Sequence, residues 1–443
     1  KLSEMQLSSG AWPWFPGGWA NDFITLYIMS GFARLAKMEI DLPFQRLDDC
    51  VSYCDDWLRE RYEYLRRKGF LEQANLSASH CLYLYGRGML LAEYPIASKS
   101  KDALEYFLGQ AKEHWLKQSQ MAQGHLALSL GKFGDRSTPK KIVRSLREKA
   151  NTSQEMGMSW DDEVSWWWYR APIETQAVMI EVFHEIAQDD KAVDDCRTWL
   201  LKQKQTQNWK TTKATADAVY ALLMGGRNLL AEGKALKIQL GKREVESDEQ
   251  EAGTGYYEKY YGPEEINADM GDITVTKHEK GVAWASLHWQ YFEDLEKVSS
   301  HATPLSLKKQ IFVERQGAKG PYIEPMKRQV LHPGDLIKIR IVLQVDRAME
   351  YVHLKDHRGS GTEPINVLSR YKYQDGLAYY EATGDTSTDF FIDYLPKGKY
   401  VFEYPLRVIH RGSYQSGLAS IQCMYAPEFN SHSASFEIRV EEE

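Results

Sequence analysis

Cysteine is scarce in this chain of 443 residues, which holds five and no Cys-x-x-Cys pair. The zinc and dithiol-redox motifs built on that spacing are therefore missing. Cys50 and Cys54 stand one helical turn apart, where side chains neighbour but a relaxed disulfide is awkward. With Cys81, Cys196 and Cys423 they read as small apolar core residues. Long hydrophobic runs are missing too: none approaches the roughly 20 residues that a membrane-spanning helix needs. Positive charge is not clustered, and the net charge is −7. That excludes a nucleic-acid surface, which needs grouped Lys and Arg to neutralise phosphates. There is no initiator Met and no signal peptide; the chain starts at Lys1 in a polar stretch and is read as an excised piece of something larger.

What is present describes a soluble globular protein, with 43% hydrophobic and 26% charged residues. The length calls for two or three domains. The chain is organised around Gly10-Ala-Trp-Pro-Trp-Phe-Pro-Gly-Gly-Trp19, an aromatic turn stiffened by two prolines and released by two glycines. It feeds a helix that Asn21 or Asp22 can cap, with Ile24, Tyr27, Ile28, Gly31, Phe32 and Leu35 on one buried face. Helical patterning then continues over 21–39, 45–67, 76–93, 101–118, 119–131, 138–150, 172–188, 191–204 and 211–231. Pro43, Pro95, Pro139 and Pro172 punctuate it. Three helices share one entry: Trp19, Trp168 and Trp209 each precede a helical Thr (Thr25, Thr175, Thr215) by about six residues. A repeated helix hairpin whose alternate members are more apolar predicts two concentric layers, an α/α toroid. Helices 21–39, 172–188 and 211–231 would line its inside, and charged 45–67 its outside. Its first members are expected to be missing.

After Gly233 the period changes to two. Ala235–Leu240, Asp272–Thr276 and Val282–Trp289 read as strands, with an acidic excursion from Glu244 to Gly271. A second β region starts near Thr303. Leu336–Val345 puts Ile337, Ile339, Ile341, Leu343 and Val345 on one face, and Tyr400–Val408 does the same with Phe402, Tyr404, Leu406 and Val408. Turn signals at Pro333-Gly, Pro396-Lys-Gly and Arg411-Gly come at the spacing of a sandwich.

Several stretches resemble one family: Gly17-Gly-Trp-Ala-Asn-Asp-Phe-Ile-Thr-Leu-Tyr-Ile28, Asn208-Trp-Lys-Thr-Thr-Lys-Ala-Thr-Ala-Asp-Ala-Val-Tyr-Ala-Leu-Leu223, Tyr373-Gln-Asp-Gly-Leu-Ala-Tyr-Tyr380, Tyr394-Leu-Pro-Lys-Gly-Lys-Tyr-Val-Phe-Glu-Tyr-Pro-Leu-Arg-Val408 and Ile421-Gln-Cys-Met-Tyr-Ala-Pro-Glu-Phe429. The chain resembles the C-terminal part of the large bacterial alpha-2-macroglobulin-like proteins, in particular the Bacteroides-type forms. The resemblance implies a multidomain α + β chain: a thioester-domain-like α/α toroid, incomplete, over 1–232; a CUB-like β segment over 233–302; and a receptor-binding-type macroglobulin β-sandwich over 303–443. It implies an endopeptidase inhibitor of the periplasm or outer-membrane/cell surface, secreted, whose partners are proteases. Cleavage of a bait region, absent here, triggers closure around the attacker. No nucleic acid is expected, no cofactor or metal, and membrane association only through a lipid anchor outside this chain. Many members carry a Cys-x-Glu-Gln thioester; none of the five cysteines here is followed by x-Glu-Gln, so this chain has no such acyl bond. In bacterial relatives a Tyr- and Met-tipped loop of the terminal sandwich packs on the thioester pocket. Met424 and Tyr425 match that loop, and Trp12 and Trp14 of the opening turn are the expected partners in an interdomain latch.

Other constellations carry less. Asp161-Asp-Glu-Val-Ser-Trp-Trp-Trp-Tyr169 could form a glycan-processing cleft, since toroids host enzymes with paired acids, but the simpler reading is an acid cluster at a helix start beside a turn core. A toroid carbohydrate-active enzyme and a glycan-binding adhesion protein thus stand as alternatives. Terpene-cyclase chemistry lacks its Asp-rich metal motif. His353, Asp356 and His357 suggest a metal site on paper, with solvated polar residues as the simpler expectation.

Overall fold

A computed structural model describes residues 2–40, 46–160, 168, 171–224, 237–245, 258–277, 285–326, 330–374 and 376–442. Two compact units divide the chain: Lys1–Leu201 with Trp209–Ala283, and Lys202–Asn208 with Trp284–Glu443. The first is helical apart from short strands; the second is built on antiparallel sheets.

The helices are α1 (Leu2–Met5), α2 (Asp22–Lys37), α3 (Leu47–Lys68), α4 (Ala78–Met89), α5 (Lys101–His114), α6 (Gln120–Leu130), α7 (Thr138–Glu148), α8 (Pro172–Val182), α9 (Asp190–Thr206) and α10 (Thr212–Leu223), all in the first unit except the last residues of α9, from Lys202 on. Their ends follow local chemistry. Asn21 accepts from the N–H of Ile24 at the start of α2, and Ser77 with His80 forms a capping box on α4. Asp48 and Asp49 sit in the first turn of α3, Arg66, Arg67 and Lys68 in its last, and Gly69 closes it in the left-handed region. The segment read as helix 172–188 changes to a π turn over Phe183–Ala187.

Alternate helices pack in series: α2 on α4, α4 on α6, α6 on α8 and α8 on α10. The middle of this layer is buried on every side, from His80 to Gly88 in α4, Met121 to Leu130 in α6 and Glu174 to Val182 in α8. By contrast α3, α5 and α7 bury one stripe each and expose charge on the other. Close approach needs small residues. A Cβ on Gly124 of α6 would lie 2.5 Å from a methyl carbon of Val178 on α8.

A hairpin missed by pattern reading, β1 (Asn151–Ser153) with β2 (Gly157–Ser159), follows α7. Its three-residue strands are too short to show a period. A small sheet in the order β4-β3-β5 holds β3 (Lys237–Leu240), β4 (Arg243–Glu244) and β5 (Ile273–Thr276). The strand expected over 282–289 is not formed where it can be described: residues 285–289 pair with no strand among the described residues. Leu287 and Trp289 are exposed, so alternation there had no sheet to join.

In the second unit β6 (Leu305–Gly317), β7 (Gly320–Pro325), β8 (Leu336–Val345) and β9 (Met349–His357) lead to β10 (Thr362–Pro364), β11 (Arg370–Gln374), β12 (Leu377–Thr383) and β13 (Ser387–Leu395). Next come β14 (Gly398–Val408), β15 (Gly412–Gln415), β16 (Ala419–Cys423), β17 (Ala426–His432) and β18 (Glu437–Val440). One sheet runs β10-β14-β8-β6-β7, the other β11-β12-β13-β9-β16-β17, and β15 pairs β18. Inward residues of both sheets form one hydrophobic core, including Ile337, Ile339, Ile341 and Leu343 of β8, Phe402 and Leu406 of β14, and Val352 and Leu354 of β9.

Candidate functional site

The opening turn is pinned by its own backbone. Trp12 O accepts from Asn21 N at 2.9 Å, Pro13 bridges Ala20, and Thr25 Oγ1 accepts from Trp12 N at 3.0 Å while donating to Asn21 O at 2.8 Å. Gly10 starts the turn at φ 88°, where a Cβ would lie 2.2 Å from the carbonyl oxygen of Asp49. Trp12 is wholly buried in the helical core, its ring 6.3 Å from Phe32 and its Nε1 donating to Leu2 O at 2.8 Å. Trp14, Phe15 and Trp19 are exposed at the tip, Trp19 at 94%. The tryptophan that anchors this turn is therefore Trp12. Trp19, although it occupies the repeated entry position, faces water, while Trp168 packs against Phe23 with tilted rings 4.7 Å apart.

At the other end of the chain Met424 and Tyr425 form the turn between β16 and β17 and are 55% and 78% exposed. The turn is held from below. Met424 N donates to Tyr351 O at 2.9 Å, the Tyr425 ring stands edge-on to Tyr351 at 5.3 Å, and Cys423 Sγ lies 3.4 Å from Glu350 O. Tyr351 has φ 56°, a costly conformation for a bulky residue. A bulge between Gln422 and Cys423 sits beside it. The result is a hydrogen-bonded pedestal presenting a Met and a Tyr. Of the four residues expected in a latch, Trp14, Met424 and Tyr425 are thus exposed, and Trp12 is consumed by its own core.

The helical unit also buries a charged network that spacing did not reveal. Arg34 on α2 pairs with Asp217 on α10 and donates from Nε to Tyr85 Oη of α4 at 2.9 Å. Tyr85 Oη donates to Glu181 Oε2 of α8 at 2.5 Å, and Tyr220 Oη to Glu181 Oε1 at 3.2 Å. Lys37 Nζ donates to Glu181 at 3.0 Å and also reaches Glu185. Lys213 binds Asp217 at 2.7 Å and lies 3.7 Å from Glu174. Burial alone would raise Asp217, but Arg34 and Lys213 hold it below the usual carboxylate range. Glu174 rises because burial outweighs Lys213. His125, stacked 4.7 Å from Tyr85, is pushed down to about 3 by burial and then by the Arg34 and Lys213 charges. Each carboxylate is held by a cation or a phenol, which suits a structural tie between helices better than acid–base work on a substrate.

The acid–aromatic stretch 161–169 lies outside the described residues except for Trp168. A groove of about 730 Å³ runs along α3 past Tyr53, Trp57 and Arg67. Asp22 also lines it and accepts from Tyr53 Oη and Trp57 Nε1, each at 3.0 Å. His353, Asp356 and His357 do not converge, and the expectation of solvated polar residues is corrected for Asp356. Strand alternation sends His353 outward, where it bonds Asp389 at 2.8 Å and stacks on Phe391. Asp356 points inward and is fully buried. No group of three metal-ligating side chains occurs among the described residues. All five cysteines are buried and free.

Residues 305–428 match the family model described as the bacterial alpha-2-macroglobulin MG10 domain. The whole chain aligns, at 21% identity, with an alpha-2-macroglobulin homolog of Nostoc sp., covering 23% of that protein. Among solved structures, it is similar to Escherichia coli alpha-2-macroglobulin activated by porcine elastase (TM-score 0.42, 14% identity, 99% of this chain and 37% of that one). It is also similar to the trypsin-activated form (TM-score 0.44, 14% identity, 99% and 29%). This chain thus spans about a quarter of the curated relative it matches. It is alpha-2-macroglobulin-like, and like the bacterial members of that group. No helix among the described residues is long and apolar enough to cross a membrane.

Proposed function

We propose that this chain is the C-terminal part of a bacterial, Bacteroides-type alpha-2-macroglobulin-like protease trap that works at the cell envelope, in the periplasm or on the outer surface, and has no enzymatic activity of its own. The observation that carries this is the MG10-type match over 305–428 within an alignment that covers the whole chain. In this reading 1–232 is a thioester-domain-like toroid, 233–302 a CUB-like segment and 303–443 the receptor-binding-type sandwich. With no Cys-x-Glu-Gln in these residues, this chain contributes shape and a latch, and proteases are its targets. The exposed Trp14, Met424 and Tyr425 supply the latch, and Trp12 anchors the turn that presents Trp14. The buried, ion-paired carboxylates of the helical unit support the non-enzymatic assignment over a carbohydrate-active toroid.

The test is to incubate the full-length protein carrying this chain with trypsin or elastase. Trapping leaves cleavage of a small peptide substrate intact while cleavage of a large protein substrate is lost. A protease that cleaves both at its usual rate, with no complex on a sizing column, overturns the proposal. For the latch, Tyr425→Ala is expected to expand the solution-scattering profile and raise protease sensitivity. An unchanged profile and digestion pattern sinks it.

A further inference from the structure

In the sandwich unit, β6 and β9 belong to different sheets, and each carries one inward residue that breaks its apolar pattern. Lys309 stands on β6 and Asp356 on β9, with side chains 1% and 0% exposed. Lys309 Nζ lies 2.6 Å from Asp356 Oδ1 and within 2.9, 3.1 and 3.3 Å of the carbonyl oxygens of His357, Ser416 and Gly417. Tyr404 of β14, also buried, donates its hydroxyl to Asp356 Oδ2 at 2.5 Å. The nitrogen is held on one spot by four acceptors and the carboxyl by two donors.

Charge separation is expensive here, because both groups have left water. Burial drives the Asp356 carboxyl upward against the opposing pull of Lys309 and the Tyr404 hydrogen bond. Passing one proton along the short hydrogen bond, from Nζ to Oδ1, removes both charges and leaves an amine beside a carboxylic acid. That neutral pair is also the reactive one: the 2.6 Å contact holds Nζ against Oδ1, one bond from the carboxyl carbon, in a site screened from bulk water.

We propose that Lys309 and Asp356 condense into an intramolecular amide that ties the two sheets together covalently. The Nζ lone pair attacks Cγ, and the carbonyl electron pair moves onto Oδ2. There the Tyr404 hydroxyl serves as the oxyanion donor, supplying the kind of fixed dipole that stabilises such an intermediate. Collapse re-forms the carbonyl at Oδ2 and breaks the bond from Cγ to Oδ1. Oδ1 leaves as water, carrying the proton it received and a second one from the nitrogen. One C–N bond forms and one C–O bond breaks; nothing is oxidised or reduced, and no co-reactant is needed. The site asks nothing of the protease-trap reading and can fail independently of it.

The test is the intact mass of the purified, denatured full chain. The expected value lies below the sequence mass by one water molecule, and digestion should release a branched peptide joining the segments around Lys309 and Asp356. Lys309→Arg and Asp356→Ala should each return to the full mass of their sequence. Tyr404→Phe should still contain both reacting groups but carry a smaller cross-linked fraction. The wild-type reading is taken on denatured chains, so poor folding of a variant does not affect it. A wild-type chain at full sequence mass overturns the proposal, and so does a lost water that maps to any other pair of residues.

Discussion

The two units bury charge in different ways. In the helical unit three cations and four carboxylates are spread over α2, α8 with the π turn that follows it, and α10, with phenols of α4 and α10 between them, and a separate buried pair joins Arg87 of α4 to Asp55 of α3, with Tyr83 on the same carboxylate. In the sandwich the buried pairs stay separate: Lys309 meets Asp356 with Tyr404 behind it, and Glu381 of β12 meets Lys372 of β11. Helices offer side chains in every direction, so a polar stripe on several of them can meet in a shared interior. Strands alternate strictly, so an inward polar residue sits among apolar neighbours and finds its partner across the core, as Lys309 does, or on the next strand, as Glu381 does. A distributed network can absorb small shifts, whereas an isolated pair cannot.

The largest break to that contrast comes from removing one member of the helical network. Asp217→Ala leaves Arg34 buried without its carboxylate and should cost about 3–5 kcal/mol, read by denaturant unfolding. A stability within error of wild type would mean that the network relaxes and is not a tie. Next, Gly124→Ala forces a methyl into the α6–α8 contact, where Val178 already stands. A loss of about 1–3 kcal/mol is expected from such overpacking. On the sandwich side, Tyr404→Phe removes the donor from Asp356 Oδ2 inside the core, and the midpoint of unfolding should fall by the equivalent of about 1–3 kcal/mol.

The pH response sharpens the same comparison. His125 has its folded pKa depressed to about 3 from 6.5, so between those values the unfolded chain binds the proton and the folded one does not. Stability of the helical unit should therefore fall as pH drops from about 6.5 toward 3, then level off. His80, depressed likewise by burial, adds to the slope. His125→Gln should flatten part of it in unfolding curves collected across that window; an unaltered slope would remove His125 as a cause. The smallest expected effect is at the entry of α2, where Asn21→Ala loses the cap on Ile24 and should cost about 1 kcal/mol by thermal melt.

Much of the fold was legible in the sequence. Helix positions followed from apolar spacing and from the cap at Asn21, and β8 appears over Leu336–Val345 as its alternation required. What pattern could not supply was partnership. Residues 285–289 alternate and still join no strand, because a strand exists only where a neighbour offers hydrogen bonds. Trp12 and Trp19 look alike in the opening turn, yet one is wholly buried and the other 94% exposed. The candidate latch was partly readable, since Met424 and Tyr425 sit in a recognisable turn. The left-handed Tyr351 beneath them carried no sequence signal, because non-glycine residues rarely adopt that conformation.

By itself, then, the amino-acid order determined most of where the chain is helical and where extended, and that no Cys-x-Glu-Gln lies within it. These are local properties, set by propensity and period over a few residues. The face expected to be buried on α2 was misplaced, since Leu26, Met29, Phe32 and Ala33 are buried while Leu35 is exposed. Only the tertiary structure decided that Arg34 meets Asp217 across 183 positions and that Lys309 meets Asp356 across 47. Such pairings depend on which elements pack together, and the cost of burying an unpaired charge makes that choice a property of the whole core rather than of either residue.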